Sequence, residues 1–171
     1  MANYKRLFLS GHSYFITIVT HQREPILIDN IELLRESFRE SKRFFDYKID
    51  AIVILPEHLH MIITPRNVID YPKIIKSIKY NFSKNYTPKE YVEQSQSREK
   101  RGLKAVWQKR YYEHTIRDQK DWIEKIQYIQ YNPIKHNLVK ISMIGTIHHL
   151  NNILLWCIRK CTLRVVYLSF M

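Results

Sequence analysis

Two apolar runs lie almost back to back in the middle of the chain, Ala51 to Leu55 and His58 to Thr64, with only Pro56-Glu57 between them. Each is rich in β-branched and aliphatic residues and too short for a buried helix, so each reads as a core strand, with Pro-Glu as the break. The second run opens on His58-Leu59-His60. Residues i and i+2 of a strand share a face, so both imidazoles point one way and Leu59 and Met61 the other. Two imidazoles on one face of a rigid strand form a two-ligand metal site that lacks a third ligand. A packed or half-exposed histidine pair without a metal is the plainer alternative.

The flanking sequence extends this core. Ser13 to Thr20 reads as another strand, followed by a polar loop from His21 to Pro25. Asp29-Asn30 are then expected to cap a helix running to about Phe45, with Ile31, Leu34, Phe38 and Phe44 on its apolar side. The other side carries Arg35, Arg39, Lys42 and Arg43, best read as a solvated basic face. A second helix starts at Tyr71-Pro72, where proline's missing N–H does no harm. Its apolar stripe is Ile74, Ile75, Ile78 and Phe82, opposed by Lys73, Lys76, Lys79 and Lys84. From Thr87 to Lys104 the chain is polar and charged, and Gln94 to Arg101 reads as a mobile loop over which nucleic acid could pass. Ala105 to Arg117 returns to strand character. Asp118 then caps a last helix, expected to end at Asn132 before Pro133. This order predicts an α+β fold, a ferredoxin-like sandwich whose antiparallel sheet is covered by helices.

Composition narrows the function. A length of 171 residues suits one domain, and three glycines beside 45% hydrophobic content exclude a disordered chain. Cys157 and Cys161 make no disulfide framework, and the opening Met-Ala-Asn-Tyr-Lys-Arg does not read as a signal peptide. A reducing, cytoplasmic setting is therefore expected. No stretch within residues 1–142 is long and apolar enough to span a membrane, so no membrane partner is expected. Twenty-eight basic against sixteen acidic residues give a net charge of +12, which points to nucleic acid. Twelve tyrosines interleaved with the lysines favour an unpaired strand, because aromatic faces stack on free bases.

The last helix supplies a second chemical group. Trp122, Ile126 and Ile129 share its apolar face, and Tyr128 lies roughly 130° from the centre of that face at about 100° per residue. Asn132 falls one turn further along the same side. Alone, this would read as a surface tyrosine near a helix end. A phenol with a pKa near 10 is a poor nucleophile at neutral pH, and against a phosphodiester it needs a cation to polarise the phosphate. The histidine pair would hold one. Basic surface, histidine pair and polar-face tyrosine together describe DNA strand transfer through a phosphotyrosine.

Three stretches carry a family resemblance: Leu55-Pro-Glu-His-Leu-His60, Trp107-Gln-Lys-Arg-Tyr-Tyr-Glu-His-Thr-Ile-Arg117, and Tyr128-Ile-Gln-Tyr-Asn-Pro-Ile-Lys-His-Asn-Leu-Val139. With the opening Tyr14-Phe-Ile-Thr17, they resemble, in the same order, the REP-associated tyrosine transposases, within the single-tyrosine HUH transposases of insertion sequences. The resemblance covers residues 1–142. It implies a metal-dependent nickase and strand transferase acting on single-stranded, hairpin-containing DNA, as a monomer or a homodimer. It also implies that His58 and His60 bind Mg²⁺ or Mn²⁺, with Asn132 as the candidate third ligand. Tyr128 would be the nucleophile, forming a 5′-phosphotyrosine and freeing a 3′-OH. Tyr131 is a rival nucleophile that the spacing to Asn132-Pro133 disfavours, and Glu113 and His114 are expected to pack or touch DNA. Two rival functions remain: a nucleic-acid-binding relative that has lost the chemistry, and a phosphoesterase that uses water in place of tyrosine.

After Lys140 the resemblance stops. Such proteins continue with a pattern like Asp-Trp-Pro-Tyr-Ser-Ser-Phe, whereas this chain reads Ser142-Met-Ile-Gly-Thr-Ile-His-His-Leu150 and then an apolar tail. Reading one base out of frame from Met143 forces a first codon GAT, aspartate, and allows Asp-Trp-Tyr-His-Ser-Ser-Phe. We therefore read residues 143–171 as a divergent tail explained by a shifted reading frame. A genuine divergent helix or strand is the alternative, and the gene sequence decides between them.

Overall fold

The computed structural model describes residues 8–88, 96, 100, 104–136, 138, 154–159 and 162–165, the last two segments through their backbone. Strand β1 (Tyr14–Val19) leads through a short 3-10 turn, His21–Arg23, to helix α1 (Ile31–Lys42). Strands β2 (Tyr47–Ile54) and β3 (His58–Pro65) follow, then helix α2 (Tyr71–Asn85), strand β4 (Tyr112–Thr115) and helix α3 (Gln119–Lys135). The first four strands are antiparallel in the order β4-β1-β3-β2, the arrangement of a ferredoxin-like sandwich. Two further strands, β5 (Leu154–Arg159) and β6 (Thr162–Val165), extend the sheet beyond β2, with β5 parallel to β2. The rest of the tail expected to diverge, and Gln94 to Arg101 apart from residues 96 and 100, lie outside the described residues.

Strand periodicity sorts the side chains to two faces. Tyr14, Ile16 and Ile18 of β1 and Leu59, Met61 and Ile63 of β3 pack against α1 and α2, joined by Ile74, Ile75, Ile78 and Phe82. The opposite face carries Phe15, Ala51, Val53, Leu55 and Ile62, covered by Ile129 of α3 with Trp122 and Ile126 beside it. In β2 the parity changes within the strand. A register shift between Ile49 and Ala51 turns Tyr47 and Ile49, and then Ile52 and Ile54, to the same α1–α2 side. Buried on both faces, β3 is apolar almost throughout, as its sequence requires.

Several boundaries differ from the sequence reading. Helix α1 ends at Lys42, and Phe44 beyond it is 75% exposed, so it does not join the apolar side. Asn30 occupies the N-cap position, but its side-chain amide donates to Ile26 O instead of capping. Regular strand structure between Ala105 and Arg117 is confined to β4. Before it, Trp107 makes a single bridge to Thr20 and donates its indole N–H to Lys79 O. Helix α3 passes through Pro133 to Lys135. A proline there forfeits one hydrogen bond, in the last turn, and the end is closed by His136 N–H on Asn132 O and Leu138 N–H on Pro133 O. Among the described residues no helix is long and apolar enough to cross a membrane.

Candidate active site

The histidine pair lies on the α3 side of the sheet, and strand register decides what stands beside it. Antiparallel pairing sets Thr17 opposite His60 and Val19 opposite His58. Thr17 Oγ1 lies 2.8 Å from His60 Nδ1. His58 Nδ1 lies 3.0 Å from Glu57 Oε1. A carboxylate only accepts, so His58 Nδ1 carries the hydrogen and its Nε2 keeps the lone pair. His60 matches this tautomer when its Nδ1–H donates to the threonine hydroxyl. The rings stand edge to face, with centroids 4.8 Å apart. Both histidines are 4% exposed. Burial pushes the His60 imidazole down to about 3, and a proton there would also be repelled by any charge on the neighbouring His58 ring and by Lys135. Burial also lowers His58, against the opposing pull of Glu57. Both rings are therefore neutral at pH 7, the state in which imidazole binds a metal.

Helix α3 carries the remaining groups, and its start is fixed to the sheet. Asp118 accepts from the backbone N–H of Asp121 at 2.8 Å, a regular N-cap. Asp121 in turn accepts from His114 Nε2–H at 2.7 Å and from Arg117 N–H at 3.1 Å, tying α3 to β4. Burial by itself would raise the Asp121 carboxyl. The His114 and Arg117 hydrogen bonds and the charges of His114 and Lys125 outweigh it and hold the carboxyl low. His114 thus acts as a packing contact, as the sequence suggested, and Glu113 faces the other way, accepting from the Tyr71 hydroxyl at 2.8 Å.

Two turns beyond this anchor, Tyr128 stands edge-on to His60, with ring centroids 5.0 Å apart, and to Phe15 at 5.6 Å. It is 41% exposed, in keeping with its place away from the helix's apolar face. Two turns further on, His136 meets His58 at 5.1 Å. Asn132 lies midway along this i, i+4, i+8 row, so it is bracketed by two residues that each touch the histidine pair. It is 1% exposed, and neither its Oδ1 nor its Nδ2 has a hydrogen-bond partner; nor has His60 Nε2. Buried polar atoms without a partner are costly and uncommon. Of the three, His60 Nε2 and Asn132 Oδ1 can offer a lone pair, whereas Asn132 Nδ2 is a donor. Tyr131 is 62% exposed and does not line the cleft that Tyr128 faces.

That cleft holds about 490 Å³. His58, His60, Tyr128 and Phe15 line it, with His136 beside them and Arg23, Lys125 and Lys135 as its cations. Lys135 Nζ sits 5.8 Å from the Tyr128 ring centroid. Among the described residues no three His, Cys, Asp or Glu side chains form a ready metal cluster. The sequence reading missed Thr17, Lys135 and His136. A threonine within a β-branched run and residues beyond a helix-stopping proline carry no site signal of their own.

The IS200-like transposase family model matches residues 8–132, which span the histidine pair, Tyr128 and Asn132. The chain belongs to the REP-associated tyrosine transposases of that family. An Escherichia coli K12 REP-associated tyrosine transposase is 33% identical over 142 residues, covering 82% of this chain and 77% of its own. A Haemophilus influenzae protein, provisionally named as another, is 36% identical over 143 residues, covering 82% and 81%. A solved structure of a REP-associated tyrosine transposase bound to a REP hairpin superposes with a TM-score of 0.68 at 31% identity, covering 86% of this chain and 81% of the other. The α+β architecture is thus that of a REP-associated tyrosine transposase, and transposase is its function class.

Proposed function

We propose that this transposase cleaves and rejoins single-stranded DNA through a 5′-phosphotyrosine on Tyr128, and that a hairpin beside the cut is part of its substrate. The observation that carries this reading is the placement of an exposed phenol edge-on to a buried, neutral histidine pair in a cation-lined cleft. In the forward step the Tyr128 oxygen bonds to phosphorus as the bond from phosphorus to the 3′ oxygen breaks. The phenolic proton leaves to solvent, and the departing 3′ oxygen takes one up. Attack by that 3′-OH on the phosphotyrosine reverses the step, so no nucleotide cofactor is needed.

His58 and His60 would hold Mg²⁺ or Mn²⁺ through Nε2, and the partnerless buried atoms of His60 and Asn132 fit that role, with the Asn132 amide as the third ligand. The metal would supply Lewis-acid polarisation of the scissile phosphate. Glu57 holds His58 in the ligating tautomer, and Thr17 orients the His60 ring. Lys135 sits where it can steady the phenolate, and Arg23 and Lys125 attract the flanking phosphates.

The test is a labelled DNA hairpin with single-stranded flanks, taken from the sequence beside the gene and incubated with Mn²⁺ on a denaturing gel. A covalent protein–DNA band that disappears in Tyr128→Phe supports the reading. Binding without an adduct by folded wild type marks a binding relative, and cleavage that persists in Tyr128→Phe marks a water-using phosphoesterase.

A further inference from the structure

We propose that Tyr112, on the free edge of the sheet, is the platform on which the unpaired nucleobase next to the cleaved phosphate stacks, so that the DNA strand leaves the site over β4. The proposal rests on the single-stranded-DNA reading of the cleft given above. Strand β4 is the outermost strand on the β1 side, and its alternation is settled by its hydrogen bonds. Glu113 turns to the α1–α2 side, where it meets Tyr71, and His114 turns to α3, where it meets Asp121. Tyr112, two residues before His114, therefore shares the α3 side.

The register then places it. Tyr112 pairs with Thr17, and Thr17 pairs with His60, so the three residues form one row across β4, β1 and β3. At about 4.8 Å per strand, the Tyr112 backbone lies roughly 10 Å from that of His60. Phe15 braces both tyrosines, edge-on to Tyr128 at 5.6 Å and to Tyr112 at 6.4 Å. Despite this contact Tyr112 is 58% exposed, and it lines the same cleft as His60 and Tyr128.

Charge selects the occupant. Arg23, Lys125 and Lys135 line the cleft as well, and Lys125 Nζ lies 5.8 Å from the Phe15 ring. An open aromatic face bordered by cations, within one nucleotide's reach of a phosphate-handling centre, suits a nucleobase with its own phosphate held alongside. A base in a duplex has both faces covered by its neighbours, so this platform serves the unpaired flank and not the hairpin stem.

The experiment uses the full chain as Tyr128→Phe, which prevents cleavage, and a DNA hairpin whose single-stranded flank carries one 2-aminopurine, moved position by position. Stacking on an aromatic ring quenches that fluorophore. One flank position should be quenched on binding, and the quench should be lost in Tyr112→Ala and Tyr112→Leu and kept in Tyr112→Phe and Tyr112→Trp. Affinity for the flanked hairpin should drop roughly 10- to 100-fold in the two non-aromatic variants. An unchanged quench in Tyr112→Ala or Tyr112→Leu overturns the proposal, as does equal loss in Tyr112→Phe. Failure of the function reading looks different: the adduct is absent with Tyr112 intact, whatever the quenching pattern.

Discussion

Replacing Thr17 by valine tests whether the histidine pair is built to be ligated. Valine keeps the β-branched shape that β1 requires and removes the hydroxyl 2.8 Å from His60 Nδ1. Two effects follow, and both can be sized. The buried Nδ1 loses its partner, which costs about 1–3 kcal/mol of stability in the metal-free protein, partly offset by the added methyl group. The imidazole also loses a contact that orients its ring, and loss of such an outer contact typically weakens metal binding about 10- to 100-fold. Mn²⁺ affinity, measured by electron paramagnetic resonance of the free ion, should fall by that factor while circular dichroism and cooperative thermal unfolding show an intact fold. Thr17→Ser keeps the hydroxyl and should remain within a few-fold of wild type. If Thr17→Val binds Mn²⁺ as tightly as wild type, the threonine does not orient His60 for a metal.

Two further outcomes follow from the electrostatics. Burial holds His60 near 3 against an ordinary value of 6.5, so between those values the unfolded chain binds a proton that the folded chain refuses. In EDTA, stability should therefore be fully present above pH 6.5 and fall as pH drops below it, approaching about 1.4 kcal/mol per pH unit for this one group. Urea unfolding at a series of pH values should show a shallower slope in His60→Ala, and equal slopes would refute the buried-neutral assignment. Lys135→Ala should weaken single-strand binding and lower the magnitude of the log K against log salt slope by roughly 0.7, whereas Arg39→Ala should change neither. Arg39 is on α1, across the sheet, and pairs with Glu36 at 2.7 Å; an equal effect from both would mean that the cleft is not where the phosphates lie.

The parts of this molecule legible in the sequence are those set by short-range periodicity. Alternation alone turned His58 and His60 to one face, and the 3.6-residue period alone turned Tyr128 away from Trp122, Ile126 and Ile129. What remained hidden depends on register and on chain ends. Thr17 joins the site because β1 and β3 pair Thr17 with His60, a long-range fact that no local pattern encodes. The extra residue in β2 is similar: strict alternation from Tyr47 would send Ile52 and Ile54 to the α3 side, and the register shift near Asp50 returns them to the other. Taking Pro133 as a stop removed Lys135 from the helix and His136 from its C-cap, although a proline in the final turn forfeits a single hydrogen bond.

The charge of the chain shows why composition alone could not locate the site. On α1, Arg35, Arg39 and Arg43 each meet a glutamate three residues earlier, Glu32, Glu36 and Glu40, at 2.7, 2.7 and 2.9 Å. Such exposed pairs add little stability, yet they cancel most of the field that face would present to a polyanion. In the cleft, Lys125 is 3.7 Å from Asp121 and Arg23 is 3.8 Å from Glu57, both looser contacts. Those two carboxylates are also bonded elsewhere, Asp121 to His114 and Glu57 to His58, so they cannot follow the cations closely. The groups that orient the helix and the histidine pair thereby leave Arg23 and Lys125 free to turn toward a phosphate. On the proposed reading these two cations meet the phosphates beside the phenol, whereas the α1 arginines stay paired with their glutamates.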